Sequence, residues 1–199
     1  MIYRALLTIS AVLVLIFSVN AQEQQEESTP PGPPQPLNDS WHQWMIGEWK
    51  GTSESNMGKT KDWMKVEWGP GKQFLIMHYK GKTTEVKEDA LKQAAKKMNM
   101  PQDKMKEMMM EDYYGIGIMT LNPQTGEPMG YWFDSYRDIS KGSGTMEDGK
   151  STMTWTSKAM GTMKRVVKKV NEEKMTIKMH GQDPSGMEWS GSSVMQRVK

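Results

Sequence analysis

The sequence predicts a mainly β protein that folds as a closed antiparallel barrel of about ten strands. Many short stretches of strand-like sequence follow one another, and turn-forming sequences such as 69–71 and 122–126 separate them. Trp49 lies at the start of the first stretch and Arg197 near the end of the last, as expected if the two strands meet and leave no open edge. The strands are expected at 48–54, 63–68, 73–80, 113–121, 129–135, 139–146, 151–157, 162–170, 174–180 and 187–198.

The N-terminal residues have the pattern of a cleavable secretory signal, predicted at 1–21. Arg4 precedes an apolar run at 5–17, and Ala21 ends a small-residue exit. The run is short for a membrane span, so we expect no stable span after cleavage; a retained anchor is the alternative. The protein is therefore expected to be exported, either periplasmic or secreted. Residues 22–36, rich in Gln and Pro, are expected to form a disordered tether before a folded domain at 37–199.

Composition limits the possible functions. The net charge of +2 gives no reason to expect nucleic acid as a partner. The chain has no Cys, which excludes disulfides and a thiol nucleophile. It has 21 Met, and Met largely replaces Leu after the predicted signal. Because Met side chains are flexible, this predicts a Met-packed core; an adaptable ligand cavity and a soft-metal site are the alternatives.

One segment, 86–111, has helical instead of strand-like periodicity and falls between the third and fourth predicted strands. Pro101 divides it into two short helices. Met105, Met108 and Met109 follow at positions i, i+3 and i+4, which predicts a soft apolar face that covers the barrel mouth as a lid. Thioether groups at this spacing also suit Cu(I), so soft-metal binding or oxidation buffering remains an alternative function.

Alternation along the strands indicates which residues face inward. In the strand 162–170 either register places at least one cation inside, and Arg165 or Lys169 could then anchor an acidic head group. The predicted partner is therefore a small hydrophobic or amphipathic molecule, and the oligomeric state is left open. The candidate ligand-binding residues are Met64, Trp68, Trp132, Phe133, Asp134 and Arg165.

Trp49 and Arg197 are assigned a structural role. In a closed barrel the first and last strands are neighbours, so the guanidinium can lie on the indole and close one end. Such a cation–π contact contributes about 0.5–2 kcal/mol.

Several short motifs resemble a known family. They are Gly47 to Gly51, Gly115 to Ile118, Tyr131 to Ser135, Gly142 to Gly144, and Met195 to Arg197. On these residues the chain resembles the bacterial domain-of-unknown-function family 1579, lipocalin-like barrels related to nitrobindins. The resemblance implies the fold and no established activity.

Neither the resemblance nor the residues call for a cofactor. Nitrobindins bind haem through a His on the last strand, and 187–198 contains no His. The three His are scattered, with no zinc-like spacing, and no nucleophile elbow or paired carboxylates are visible. We therefore expect no cofactor and a protein that is not an enzyme.

Overall fold

The computed structural model describes Gly32 and residues 34–199, and these form a closed antiparallel barrel of ten strands. Each strand pairs with its sequence neighbours, and β1 closes the barrel against β10. The predicted signal at 1–21 and most of the predicted tether lie outside the described residues. The strands are β1 (Gly47–Ser55), β2 (Gly58–Trp68), β3 (Leu75–Val86), β4 (Tyr113–Leu121), β5 (Pro128–Asp134), β6 (Ile139–Glu147), β7 (Lys150–Ser157), β8 (Gly161–Asn171), β9 (Lys174–Gln182) and β10 (Glu188–Arg197).

The ten-stranded lipocalin-like barrel and its helical insertion between β3 and β4 are confirmed. The main difference is strand length. β2 begins earlier along the chain, and β3 ends later, than the sequence predicts. The added residues, 58–62 and 81–86, are mostly polar or glycine, so hydrophobic alternation does not reveal them. They are held by the β2–β3 ladder, which contains a bulge between Lys59 and Thr60.

The two ends of the barrel differ in construction. At one end the chain enters through α1 (Ser40–Met45), which Asp39 caps by accepting a hydrogen bond from the His42 backbone N–H at 3.0 Å. Trp44 and Met45 of this helix are buried inside the barrel end. They join a continuous core in which Met is the commonest residue, as its composition predicts: Trp49, Met64, Val66, Leu75, Met77, Val167, Met175, Ile177 and Met195.

The other end carries the turns β1–β2, β5–β6, β7–β8 and β9–β10, and the helical insertion. The insertion contains α2 (Glu88–Lys97) and α3 (Gln102–Met109), which pack on each other. Their shared core consists of Leu91, Ala95 and Met105. Within the described part of the chain, no helix is long and apolar enough to cross a membrane.

Candidate ligand-binding site

A cavity of about 250 Å³ lies inside the barrel between the core and the turn-bearing end. All of its wall residues come from inward-facing positions of the strands or from the β7–β8 turn. The wall is mainly aromatic and methionine, with a few hydroxyl groups and three charged side chains. It consists of Ser53, Asp62, Tyr79, Tyr113, Trp132, Asp134, Ser140, Trp155, Met160, Gly161, Met163, Arg165, Ile177, Met179, Trp189, Ser193 and Met195.

Glycines on neighbouring strands keep this space open. Trp132 lies across Gly117, its partner on β4, where an added Cβ would come within 2.8 Å of the ring. Trp155 lies in the same way across Gly142 of β6, where the distance would be 2.6 Å. Only glycine permits such close approach, so the indoles lie flat against the wall instead of filling the centre.

A buried carboxylate on one side of the cavity is fully satisfied. Asp62 is only 5% exposed, although it carries a charge. Each of its hydrogen bonds comes from a hydroxyl group: Thr60 at 2.6 Å, Tyr79 at 2.8 Å, Ser193 at 3.3 Å, and Ser53. Burial, followed by the charge of Asp62, raises the pKa of Tyr79 far above its ordinary value, so this phenol stays neutral and remains a donor.

A second polar chain runs along β4 and β5. The indole N–H of Trp132 donates to the Tyr113 hydroxyl at 2.7 Å, and that hydroxyl donates to Asp134 at 3.4 Å. Asp134 also accepts from the backbone N–H groups of Tyr136 and Asp138, which shapes the β5–β6 turn. Burial raises the pKa of Tyr113 well above its ordinary range. The Asp134 carboxylate therefore belongs to the turn and its supporting aromatic residues.

Arg165 differs from these groups because its charge has no partner. The strand β8 directs Arg165 inward, between Met153 on β7 and Met179 on β9. No hydrogen bond or ion pair joins its guanidinium to any residue from 34 to 199; Asp62, Tyr79 and Tyr113 act on it only at longer range. Burial lowers the pKa of Arg165, but a guanidinium titrates so high that it remains a cation.

Of the six candidate ligand-binding residues, three lie at the cavity: Trp132, Asp134 and Arg165. Met64 and Trp68 do not line it. Both face inward, but Met64 is part of the core and Trp68 packs against that core. Alternation predicts which face a side chain is on, and it does not predict how deep in the barrel the side chain lies.

The prediction that Phe133 lines the cavity is wrong. The side chain is 40% exposed on the outer surface of the barrel, because its neighbours Trp132 and Asp134 both point inward and successive side chains alternate. Its partner across the β4–β5 ladder is Ile116, which is also exposed.

Several wall residues escaped sequence analysis, among them Asp62, Tyr79, Tyr113, Trp155 and Trp189. Three tryptophans of the wall share a feature that could have identified them. Trp132, Trp155 and Trp189 each oppose a glycine on the adjacent strand: Gly117, Gly142 and Gly181.

Trp49 and Arg197 lie at the opposite end and pack together. The guanidinium carbon of Arg197 is 4.2 Å from the centroid of the Trp49 ring, and the residues face each other in the β1–β10 ladder. The guanidinium also donates to the backbone carbonyls of Trp44 at 2.5 Å, Ile46 at 2.6 Å and Glu172 at 3.2 Å. It therefore ties α1 and the β8–β9 turn to the last strand.

The helical insertion does not present methionines to the cavity. Met105 is 4% exposed between α2 and α3, and Met109 packs on the same small core. Met108 is 41% exposed and points elsewhere, so the three do not share one environment. The predicted methionine lid face is thus used to join the helices, and this arrangement gives no support to a three-Met copper site.

The insertion is nevertheless attached across the rim. Lys97 at the end of α2 forms an ion pair with Asp183 and donates to Ser185 at 2.7 Å, both in the β9–β10 turn. α2 follows β3, and β1 and β2 lie between β3 and β10 in the ring, so the contact connects the insertion to a turn that is not its neighbour. The Lys97 ammonium holds the pKa of Asp183 well below its ordinary range.

Comparison with known proteins identifies the fold and not the family. No family model and no curated protein matches the chain, so the resemblance to family 1579 is not confirmed. The barrel is similar to the S-type phycobiliprotein lyase CPES of Guillardia theta, with a TM-score of 0.53 and 11% identity over 80% of this chain and 91% of that one. It is also similar to Rv2717c from M. tuberculosis, with a TM-score of 0.51 and 9% identity over 78% and 94% of the two chains.

A protein of unknown function from the DUF3598 family of Nostoc punctiforme matches more distantly, with a TM-score of 0.26 and 8% identity over 81% of this chain and all of that one. The prediction that the chain is not an enzyme is contradicted, because a protein with a similar barrel is named a lyase. The fold alone therefore does not exclude an enzyme.

Proposed function

We propose that this barrel binds a small amphipathic molecule in the cavity at its turn-bearing end. The observation that carries the proposal is Arg165, a cation that has no partner among the described residues and faces a largely aromatic and methionine-lined space. Buried charges are normally paired, because removing an ion from water is costly. A cation left without a partner beside an apolar cavity is explained most simply by a ligand that completes it.

The shape of the interior supports the same conclusion. The core fills the α1 end, whereas the glycine-seated indoles leave about 250 Å³ unfilled at the other. An unfilled cavity costs stability, so a fold that merely needed a core would gain by closing it. The methionines on the wall, Met160, Met163 and Met179, can adjust to ligands of different shape.

The place of action is a further part of the proposal. The predicted signal at 1–21 favours a carrier or sensor that works outside the cytoplasm. Sequencing the N-terminus of the protein recovered from culture should then give Gln22 as the first residue. An intact Met1 in the membrane fraction would replace this with an anchored protein.

Ligand binding can be tested with a cavity-filling variant. Ser140 of β6 lines the cavity, whereas Ser143 on the same strand is exposed outside. Ser140→Phe should fill the cavity and Ser143→Phe should leave it empty. The neutral fluorescent probe N-phenyl-1-naphthylamine should bind the parent and the Ser143→Phe protein, and the Ser140→Phe protein should lose at least about tenfold in affinity.

Native mass spectrometry of protein purified from its own host provides a second readout, because a retained molecule adds its mass directly. Equal probe binding by both phenylalanine variants would place the probe elsewhere and remove the support for a ligand cavity. Circular dichroism of the two variants should match, which ensures that a lost signal reports a filled cavity and not an unfolded barrel.

A further inference from the structure

Two side chains form the floor of the cavity, and both have unused hydrogen-bond donors. A second void of about 30 Å³ lies beneath the cavity toward the α1 end. Among the described residues, Trp155 and Arg165 are the two that line both spaces, so they separate the two. They occupy diagonal positions of the β7–β8 ladder, in which Trp155 pairs with Met163 and Met153 pairs with Arg165. Diagonal neighbours on one face of a ladder are within reach of long side chains.

The indole N–H of Trp155 is a separate indication of a missing acceptor. Trp155 is only 3% exposed, and its Nε1 has no hydrogen-bond partner among the described residues. The six-membered ring lies over Gly142, with Cε3 and Cζ3 on that side, so the edge with Nε1 faces away from β6. By contrast, the indole N–H groups of Trp44, Trp49 and Trp132 all have acceptors. Buried donors are seldom left unpaired in folded proteins.

The charges around this floor determine which anion suits it. Arg165 supplies one positive charge, and Asp62 acts on it across the cavity as one negative charge. Asp62 already has its hydroxyl donors, so it does not need the arginine. A dianion such as phosphate would gain one cation and be repelled by Asp62. A singly charged oxyanion would neutralise Arg165 without adding a second negative charge.

We propose that Arg165 and Trp155 form an oxyanion subsite, and that the ligand is a small aromatic carboxylic acid. The guanidinium holds the carboxylate, the indole N–H donates to one of its oxygens, and the aromatic body lies among Tyr113, Trp132 and Trp189. This rests on the proposed binding function and adds the chemical class of the ligand.

The size of the cavity limits the body of the acid. A volume of 250 Å³ equals that of about eight waters in the liquid and lies just below the usual range for drug-sized ligands. One or two fused rings with a carboxylate fill such a space. A long acyl chain or a tetrapyrrole would have to extend out of the barrel.

The test compares two probes of nearly equal shape, 2-naphthoate and its neutral amide, 2-naphthamide. Because charge-assisted hydrogen bonds are much stronger than neutral ones, the wild-type protein should bind the acid at least about tenfold more tightly. Arg165→Met should reduce this preference to within about twofold. Trp155→Phe keeps an aromatic ring at this position and removes the indole N–H. It should weaken the affinity for naphthoate by about three- to tenfold, with little change in the affinity for naphthamide.

The matched control is Lys164→Met, which removes a cation from the outer face of the same strand and should leave the preference intact. Equal affinity of the wild type for acid and amide would overturn the oxyanion subsite, and this arm needs no variant to fold. If N-phenyl-1-naphthylamine still binds in that case, the cavity function survives and only the subsite fails. If neither the acid, the amide nor the neutral probe binds, both proposals fail.

Discussion

Two arginine side chains lie in opposite halves of the barrel, and their contacts differ. Arg197 lies on Trp49 at the α1 end and donates to three backbone carbonyls. Arg165 faces the cavity and has no partner among the described residues. The first is positioned by the groups that it satisfies. The second has donors that no described residue uses, and in the proposed function these donors bind the ligand.

The contrast extends to the surroundings of each arginine. At the α1 end the interior is continuous core. Backbone carbonyls at the end of α1, which would otherwise lack a hydrogen-bond donor, accept hydrogen bonds from Arg197. At the cavity end the indoles lie against glycines and the space between them remains unfilled. One end of the barrel interior is therefore packed, and the other holds the cavity that we propose binds a ligand.

The largest effect is expected from Arg197→Ala. This change removes the stacking on Trp49 and leaves the carbonyls of Trp44 and Ile46 without their donor. We expect a loss of about 3 kcal/mol in the free energy of unfolding, measured by urea denaturation. Lys50→Ala, on the exposed face of β1, is the control and should change little. A loss as small as that of the control would mean that Arg197 does not hold the end closed.

A smaller effect is expected from Gly142→Ala at the cavity end. The new methyl group would lie 2.6 Å from the Trp155 ring and would push the indole into the cavity. We expect about 2 kcal/mol lower stability by urea denaturation, together with weaker binding of N-phenyl-1-naphthylamine. The exposed neighbour Ser143→Ala should affect neither. Unchanged probe binding by the Gly142→Ala protein would show that the close contact between Gly142 and the Trp155 indole does not keep the cavity open.

Arg165→Met should act on stability in the opposite direction to Arg197→Ala. It replaces a half-buried cation, which has no partner among the described residues, with an apolar side chain of similar length, so the ligand-free protein should gain about 1 kcal/mol in the free energy of unfolding. Thermal unfolding without ligand measures this. A strong destabilisation would reveal that Arg165, like Arg197, is needed for the fold.

The smallest effect concerns the contact between Lys97 and Asp183. Because Lys97 depresses the pKa of Asp183, the stabilisation from this pair is fully present above the ordinary aspartate value of 3.8 and is lost as the pH falls through the lower folded pKa. Backbone hydrogen exchange in α2 should therefore be steady from pH 7 to pH 4, after correction for the intrinsic rate, and rise only below that range. Asp183→Asn should show the faster exchange already at neutral pH. Equal exchange in both proteins would mean that the pair does not hold the insertion.

The sequence predicts the barrel well because alternation and turn chemistry act locally. It also predicts that a cation of β8 such as Arg165 faces inward, since any register of this strand places a cation inside. It fails for Met64 and Trp68, because depth along the barrel depends on how far α1 and the core extend. The prediction that Phe133 lines the cavity is wrong because it takes the aromatic cluster as a unit, whereas successive side chains of β5 point to opposite faces. Whether an arginine is paired depends on contacts between distant strands, which no local pattern contains.

A crystal structure of the protein with 2-naphthoate would show whether Arg165 and Trp155, which lack partners among the described residues, bind a ligand oxyanion. We predict the carboxylate within about 3.2 Å of both the Arg165 guanidinium and the Trp155 Nε1, with the rings toward Tyr113 and Trp132. A carboxylate directed at the barrel mouth, or a naphthoate bound outside the cavity without a contact to Arg165, would show that the two side chains do not form an oxyanion subsite.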